Sequence, residues 1–403
     1  RAIENRIKKT NLLYKSIMKC FNFKSVATVA IAAAALIACQ KEQGNDNQNN
    51  GTELKGYVTE DLTLEAGKTY ELTGSLQVKA PATLTIGAGA TVIAKDNGEI
   101  NYILIEQGAK INAVGTKDAP IVLTAERKEN GAWGGVHICG RAHSNAGTDN
   151  TSEIGNAPYG GNVEDDNSGV MKYVRIEYSG YALDSEHEAN GLSLYGVGNG
   201  TALSYIQCIN GSDDGIEFFG GSVNIDHCVI IDCTDDSFDW TEGWNGKGEW
   251  LVAYQSDPSC DCLFECDNNG KAIDATPVSN PTLDHVTLVG NNSTDAKRGI
   301  RLRAGTYASF SNTIVCGKPN PITLETEPTV KSFVSGESKF SNVLISGSVK
   351  SDDTVSPAYT DELFTKAGNK TGQEITHKSR FIGTIDGAGA VPQDNDWTAG
   401  WTK

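Results

Sequence analysis

Short segments in which apolar and polar residues alternate begin at about residue 56 and continue along most of the chain. Glycine, asparagine and aspartate separate these segments. Alternation with a period of two predicts β-strands, and these three residue types favour the turns between strands. No strong helical period precedes residue 359, but residues 358–368 predict a short helix with Thr360 as its N-cap and Gly368 after it. The pattern therefore predicts an all-β chain with a short C-terminal helix.

The segments repeat with a fixed order of residue types: a small residue, an apolar, a polar and another apolar residue. Copies of this first strand begin at Gly191, Gly215, Ser237, Leu263 and Gly299. A second strand pattern recurs at residues 173–176, 205–208, 227–230, 285–288, 312–315 and 342–345. The first strand repeats every 22–26 residues over its first four copies, and no helix intervenes. This spacing predicts a parallel β-helix whose coils stack about 4.8 Å apart, whereas propeller blades would need roughly 40 residues each.

The most specific part of the repeat spans residues 210–244, with Ser-Asp-Asp-Gly-Ile-Glu-Phe-Phe-Gly-Gly from Ser212 and Asp-Asp-Ser-Phe-Asp-Trp from Asp235. Together with the Trp-rich residues 396–401, this part resembles the pectin-lyase-like lipoproteins common in Bacteroidetes. The resemblance covers residues 54–403 and implies a single-stranded right-handed parallel β-helix. Most such proteins have no established reaction, so the resemblance implies a fold more than a function.

The sequence divides into four regions. Residues 1–38 hold upstream residues and a signal peptide, and residues 39–53 are a flexible tether rich in Asn, Asp and Gln. Residues 54–350 form the predicted β-helix, interrupted by a long polar loop over one face at residues 145–169. In residues 351–403 the short helix and a Trp-rich tail are expected to cap the C-terminal end, because open strand edges need covering.

The N-terminal region carries an address signal. Residues 1–38 contain seven Lys or Arg residues and one acidic residue, and residues 25–38 are almost wholly small and apolar. A basic stretch before a short apolar run is typical of a signal peptide, and the run is too short to span a bilayer. The segment Leu-Ile-Ala-Cys, ending at Cys39, resembles the bacterial lipoprotein motif in which the cysteine is lipidated. The Gln-Lys-Glu that follows resembles a signal for the cell surface.

These features predict an outer-membrane lipoprotein, exposed at the cell surface and held by a palmitate-type anchor at Cys39. A buried hydrophobic helix is the alternative for the apolar run. Acidic residues outnumber basic ones by 51 to 34. A nucleic-acid partner is excluded because phosphate binding needs a basic face. An acidic chain is also repelled by anionic lipids, so the acyl chains must provide the anchoring.

The polar position of the first strand falls in one column when the coils are stacked. The column contains Ser193, Glu217, Asp239, Glu265, Arg301 and, by a looser alignment, His137. Acidic pairs precede two of its strands. We name as the acidic ladder the carboxylates of Asp213, Asp214, Glu217, Asp235, Asp236, Asp239 and Glu265, with Arg301 at its end. Carboxylates about 5 Å apart repel and raise each other's pKa unless a cation lies among them.

Three interpretations of the acidic ladder stay open. Oxygen-rich clusters suit calcium, for which Glu217 and Asp239 are the candidates because they project from strands rather than turns. Two carboxylates placed across a sugar suit general acid/base hydrolysis. Aspartates also cap turns by accepting hydrogen bonds from nearby backbone amides, a role that needs no ligand.

Two enzyme families with this fold offer motifs for comparison. The pair Asp213–Asp214 resembles that of polygalacturonases, but Gly-His-Gly is absent and the predicted β-helix has no Arg-Ile-Lys. Pectate lyases combine calcium carboxylates with an Arg or Lys base. Arg298, Arg301 or Arg303 could reach the ladder, yet the Arg-x-Pro-x-x-Arg element is absent. The sequence therefore allows a lyase or a hydrolase without indicating either.

Aromatic and sulfur-containing side chains add further predictions. Phe219 and Trp244 are expected to be exposed, where a ring can stack on a sugar, whereas Phe218 and Trp240 share the inward phase of their strands.

Eight cysteines follow the leader, and the cell envelope permits disulfides. An offset of 26 residues between neighbouring coils places Cys233 next to Cys260, so a disulfide between them is predicted, with Cys262 as the competing partner. Cys208 and Cys228 share the inward phase and are predicted to be core thiols.

Together the sequence features predict a surface lipoprotein whose β-helix binds an extended ligand, with a glycan favoured, along the acidic ladder. The first alternative is a calcium-dependent polysaccharide lyase or glycoside hydrolase that uses the same carboxylates. The second is a structural or adhesive surface protein without catalysis. Calcium is the one cofactor that the ladder suggests.

Overall fold

The computed structural model describes residues 51–182, 188–376 and 381–403. The predicted lipid attachment at Cys39 lies outside these residues. Within the described ranges, 24 strands hydrogen-bond into one continuous parallel sheet that winds as a β-helix, which confirms the predicted fold class. Two short antiparallel hairpins complete the strands.

The strands, in chain order, are β1 (Glu53–Val58), β2 (Leu62–Leu64), β3 (Thr69–Val78), β4 (Thr83–Ile86), β5 (Thr91–Ala94), β6 (Ile103–Ile105), β7 (Lys110–Val114), β8 (Ile121–Ala125), β9 (Val136–Cys139), β10 (Asn150–Thr151), β11 (Pro158–Tyr159), β12 (Gly169–Glu177), β13 (Leu192–Tyr195), β14 (Ala202–Ile209), β15 (Ile216–Phe219), β16 (Asn224–Asp226), β17 (Val229–Ile231), β18 (Phe238–Thr241), β19 (Lys247–Tyr254), β20 (Phe264–Cys266), β21 (Thr282–Val289), β22 (Arg298–Leu302), β23 (Ser309–Cys316), β24 (Asn320–Leu324), β25 (Lys339–Ile345), β26 (Val349–Ser351), β27 (Gly383–Ile385) and β28 (Ala388–Val391). The helices are α1 (Glu327–Ser335) and α2 (Asp361–Lys366).

The coils stack as three faces. The ladder sheet, which carries the first strand pattern, contains β6, β9, β13, β15, β18, β20, β22, β24 and β26, each paired in parallel with the next. From β12 onward, long strands such as β14, β19, β21 and β23 bend and pair on two successive faces. From β12 onward, a coil therefore presents one short strand on the ladder sheet and one bent segment on the other two faces, whereas earlier coils use separate strands such as β7 and β8 there.

The bend between the other two faces falls on residues with a positive φ. These are Tyr173, Tyr205, His227, Trp250, His285, Asn312 and Asn342, with φ between 47 and 58°. A non-glycine residue in this region costs about 1–2 kcal/mol. Stacking between coils offsets part of that cost, since the ring centroids of Tyr173 and Tyr205 lie 4.3 Å apart and those of Trp250 and His285 lie 4.0 Å apart. All six copies of the second strand pattern begin at this bend.

Helix α1 was not expected from the sequence, which shows no strong helical period in this region. It begins with Pro328 in its first turn and ends at Gly336, whose φ of 87° is left-handed. Its buried face includes Thr329 and Ser332 beside two apolar residues, so the apolar periodicity that would mark a helix is weak. The ring of Phe333 stacks on the core at a centroid distance of 4.7 Å from Phe340.

Helix α2 occupies the place that the sequence predicted. The Thr360 side chain accepts a hydrogen bond from the Leu363 amide at 3.3 Å, which is N-cap geometry. Phe364 is fully buried and packs on Phe340, so α2 covers the C-terminal end of the core. Among the described residues, no helix has the length and apolarity that crossing a membrane requires.

The Trp-rich tail does not cap the C-terminal end, which corrects the expectation for this part of residues 351–403. Trp397 and Trp401 pack along the flank of the β-helix, against a cluster that includes Val229 and Val252. Lys403 reaches still farther back, and its Nζ lies 2.8 Å from the Glu177 carboxylate. By packing there, the tail buries apolar side chains of earlier coils. A tail placed at the end of the β-helix would leave those side chains in water.

Candidate functional site

The ladder sheet holds the predicted column in register. Cα pairing connects Ser193, Glu217, Asp239, Glu265 and Arg301 through five neighbouring strands, and His137 pairs with Ser193 on the preceding coil. The residues on either side of each, such as Ile216 and Phe218 around Glu217, are buried in the core. Strand alternation therefore turns the column away from the core, as the sequence predicted.

The carboxylates of the ladder come together as one cluster. Oxygen atoms of Asp214, Glu217 and Asp239 lie within 4.8 Å of one another. Asp213, Asp214 and Asp235 form a second group with the same spacing. The two groups share Asp214, so the turn aspartates and the strand carboxylates lie side by side on two successive coils.

Part of the ladder caps turns. Asp214 Oδ1 accepts a hydrogen bond from the Asp236 amide at 2.9 Å, and Asp236 accepts one from the next coil at 2.5 Å. Glu217 accepts a bond from the Asn190 side-chain amide at 2.6 Å. Within the described chain, by contrast, Asp239 Oδ1 is buried without a hydrogen-bond partner. The second aspartate of each pair thus has a structural role, whereas Asp239 keeps an unused acceptor.

Arginines neutralise the far end of the ladder. Arg301 Nη1 and Arg303 Nη2 each lie 2.6 Å from a carboxylate oxygen of Glu265. Arg303 also donates to Asp267 at 2.7 Å, and Arg301 reaches Glu325 at 3.3 Å. These ion pairs satisfy Glu265 and leave neither guanidinium free to act as a base, so this end of the ladder is a structural network.

The remaining carboxylates are electrostatically strained. Burial, with neighbouring carboxylates adding to it, raises the pKa of Asp213 to about 8. Asp235 is more exposed, and partial desolvation with the nearby Asp261 and Glu265 carboxylates raises its pKa to about 6. The same two causes raise the pKa values of Asp214, Glu217 and Asp239 well above their usual range. No lysine or arginine of the described residues forms an ion pair with these last three. This part of the ladder therefore favours holding protons, or a cation, near neutral pH.

The long polar loop predicted at residues 145–169 lies over the ladder sheet and forms the β10–β11 hairpin. Its Ile154 and Tyr159 pack in one cluster with Tyr195 and Phe219, the outward residues at the ends of β13 and β15. This covering segment excludes water from the first coils of the face.

The predicted exposure of Phe219 and Trp244 is wrong. Phe219 is 7% exposed, and its ring stacks on Tyr195 at 4.4 Å beneath the covering segment. Trp244 is fully buried, stacks on Phe218 at 3.9 Å and donates its indole N–H to the Val223 carbonyl at 3.0 Å. Neither ring can stack on a sugar, because long-range packing covers both.

The disulfide predicted between Cys233 and Cys260 is not formed, and the eight described cysteines are free, buried thiols. The register offset between these coils is 23 residues before the turn and 26 after it, so the turn holds three extra residues. Cys233 points into the main core, and Cys260 lies outside that cluster. Cys208 and Cys228 are core thiols, as their strand phase predicted.

A polar cleft of about 600 Å³ opens beside the ladder. Its floor includes Thr241, which lies on β18 two residues after Asp239 and therefore on the same face. Loops from the covering segment and from residues 269–272 form the two walls. The lining residues are Asn145, Ala146, Asp149, Asn150, Thr151, Tyr159, Thr241, Glu242, Asn269, Gly270, Lys271 and Ala272.

Glu242 is a cleft residue that sequence reasoning missed. Its φ of 56° is left-handed, and glycines with φ of 67° and 55° occupy the equivalent position on the two preceding coils, at Gly220 and Gly196. A non-glycine residue in this conformation costs about 1–3 kcal/mol and tends to occur at functional sites. The signal in the sequence was the replacement of a recurring glycine by glutamate after the first strand of one coil.

A parallel β-helix with a carboxylate-rich face and a polar cleft fits a glycan-binding or polysaccharide-active protein. A family model described as "Pectate-lyase like beta helix domain" matches residues 56–402. The chain belongs to this family. No curated protein and no solved structure matches it.

Proposed function

We propose that this protein binds an extended glycan in the polar cleft beside the acidic ladder. The observation that supports this most is the lining of the cleft, in which nine of the twelve residues carry an amide, hydroxyl, carboxyl or ammonium group. Sugar hydroxyls both donate and accept hydrogen bonds, so such a lining suits them. The sequence placed the glycan along the ladder itself. We move the binding site to the cleft because the covering segment packs over the first coils of that face.

The walls of the cleft are braced against each other. Asn145 donates to Asn268 Oδ1 at 2.8 Å and to the Pro277 carbonyl at 2.9 Å. Asn269 donates to Asn145 Oδ1 at 3.0 Å. These bonds connect the covering segment with the loop that follows β20. A site ordered before binding loses less conformational entropy when the ligand arrives, which favours affinity.

We expect Asp149→Ala and Lys271→Ala each to weaken glycan binding at least about tenfold, because hydrogen bonds to charged groups contribute roughly 1.5–3 kcal/mol. Both side chains are exposed and line the cleft. A glycan array identifies ligands, and calorimetry with the retained polysaccharides measures each variant. Lys350→Ala is the matched control, because Lys350 is an exposed lysine on β26, at the far end of the ladder sheet.

Equal affinity of both cleft variants and wild type would place the glycan elsewhere on the surface. If no glycan is retained by the wild-type protein, a structural or adhesive role without a bound glycan becomes the better account.

A calcium-dependent polysaccharide lyase or hydrolase is the second candidate. The close spacing of the Asp214, Glu217 and Asp239 oxygens and the unused acceptor of Asp239 favour it. Against it, both arginines near the ladder are committed to ion pairs. The effect of calcium on the melting temperature tests whether the ladder binds this cation.

We further propose that the chain is an outer-membrane lipoprotein exposed at the cell surface and anchored at Cys39. The basic and apolar residues before Leu-Ile-Ala-Cys support this location. Cys39→Ala should leave the leader uncleaved or release the protein from membranes, since the acyl chains provide the anchoring. Fractionation, palmitate labelling and N-terminal mass spectrometry check this, with Cys20→Ala as the control. A Cys39→Ala protein that is still cleaved and lipidated would exclude the anchor.

A further inference from the structure

Glu242 lines the polar cleft, and two hydroxyl groups hold one of its carboxylate oxygens. Its Oε2 accepts hydrogen bonds from Ser144 Oγ at 2.6 Å and from the Tyr159 hydroxyl at 2.8 Å. Among the described residues, no hydrogen bond reaches Oε1. Glu242 lines the cleft together with Asp149. The two donors therefore fix the orientation of the carboxyl group while its second oxygen stays available to a ligand.

Burial shifts this side chain toward its protonated form relative to a carboxyl group in water. Burial raises the pKa of Glu242, while the Ser144 and Tyr159 hydrogen bonds and the charge of Lys271 oppose that rise. Since Oε2 already accepts two hydrogen bonds, the proton belongs on Oε1. A carboxylic acid in a cleft, held by two hydroxyl groups and with its O–H free, is the arrangement of a general acid.

The backbone gives an independent reason to assign a role to this residue. Glu242 adopts a left-handed conformation at a position where the two preceding coils have Gly196 and Gly220. Glycine adopts this conformation without strain, so the fold by itself does not require a glutamate here.

We infer that Glu242 is the proton donor for hydrolysis of a glycosidic bond in the polar cleft, with Asp149 as the base. This inference rests on the proposed glycan binding and extends it from binding to cleavage. The ladder carboxylates Glu217 and Asp239 do not line the cleft and are not part of this assignment.

The step balances with water as the only co-reactant. The Oε1 proton of Glu242 passes to the glycosidic oxygen, which leaves with the electron pair of the breaking C–O bond. A water molecule forms the new bond to the same carbon, and the Asp149 carboxylate takes the proton that this water loses. Exchange with solvent then returns a proton to Glu242 and removes one from Asp149.

The test uses the whole protein with polygalacturonate, xylan, arabinogalactan and chondroitin sulfate, and with every polysaccharide retained in the binding screen. Wild type should release new reducing ends and, in water labelled with heavy oxygen, incorporate one labelled oxygen at each. Glu242→Gln keeps an acceptor for Ser144 and Tyr159, so it should bind as wild type but cleave at least about 100-fold more slowly. Glu249→Gln, an exposed glutamate on β19, should cleave as wild type does.

Tyr159→Phe separates positioning from simple structural support. Loss of its hydrogen bond raises the pKa of Glu242 further, so the alkaline limb of the kcat/KM profile should move to higher pH. The titratable groups that face Glu242 are Tyr159, Lys271, Asp149, Glu217 and His143. A structural defect would lower the whole profile without moving this limb.

Four results would overturn the assignment. Binding without cleavage by wild type would refute the hydrolysis and leave the proposed binding function intact, whereas absence of binding would refute both. Cleavage at the wild-type rate by a folded Glu242→Gln variant would assign the proton donor to another residue. Products with unsaturated ends and no labelled oxygen would show elimination instead of hydrolysis.

Discussion

Raising the pH from 5 to 8 should lower the free energy of unfolding, by on the order of 1.4 kcal/mol for each pH unit of this range over which a buried carboxyl stays protonated in the folded chain alone. The ladder carboxyls hold their protons to higher pH in the folded chain than in the unfolded chain, whose aspartates titrate near 3.8. The folded state therefore binds more protons than the unfolded state above pH 4. Stability falls as the pH rises through the raised values, which are about 6 for Asp235 and about 8 for Asp213.

Carboxyls with lowered pKa values contribute in the opposite direction, but at lower pH. Asp257 and Asp284 are stabilised as anions by hydrogen bonds, and their contribution is lost only when the pH falls below about 4. Burial also lowers the pKa of His137 to about 4, so this imidazole opposes the ladder up to about pH 6.5, where the unfolded histidine loses its proton. Between pH 6.5 and 8 the ladder should therefore decide the slope. Thermal or urea unfolding across this range measures it directly.

The double variant Glu217→Gln and Asp239→Asn should flatten this slope and raise stability at pH 8, because neutral amides keep the shape without the buried charge. Glu129→Gln and Glu249→Gln, both exposed, form the control pair. If the ladder holds calcium, millimolar calcium should raise the melting temperature of wild type at pH 8 and leave the double variant unchanged.

A wild-type slope of zero, with no calcium response, would mean that the ladder consists of ordinary turn caps. A pH slope without a calcium response would show that protons alone neutralise the ladder, and it would remove the calcium-dependent enzyme from the candidates.

Trp244→Ala should lower the free energy of unfolding by about 3–5 kcal/mol, the loss expected for a fully buried aromatic side chain. Its ring packs between Phe218 and Trp240, at centroid distances of 3.9 and 5.7 Å. The substitution opens a cavity and also leaves the Val223 carbonyl without its indole donor. Denaturant unfolding measures the difference.

Tyr57→Ala is the aromatic control for this experiment, because Tyr57 is 55% exposed and its loss should change stability by less than about 0.5 kcal/mol. If Trp244→Ala unfolds as wild type does but loses glycan binding, the tryptophan is a surface sugar contact after all.

The regular part of the fold could be predicted from the sequence because its signals are local. Alternating side chains determine which residues of each strand face the core, and the repeat length of 22–26 residues determines which side chains stack between coils. Glu217 and Asp239 were therefore assigned to one column without coordinates, and their Cα pairing confirms the alignment. The short helix after Thr360 followed in the same way from its capping residue.

Features that depend on contacts between distant segments could not be predicted. The alignment of coils failed at Cys233 and Cys260, where three inserted residues shift the register within one turn. Helix α1 was not predicted because buried Thr329 and Ser332 interrupt its apolar periodicity. In both places the sequence pattern was locally ambiguous, and packing decided the outcome.

The sequence by itself determined the β-helix, the order of its columns and the crowding of carboxylates on one face. Only the tertiary structure decided which part of that face is open. The covering segment buries Phe219 and, with the loop after β20, forms the cleft that contains Glu242. The reason is that burial and cleft shape arise from contacts between residues far apart in the sequence, such as Asn145 and Asn269, 124 positions apart, which no local repeat records.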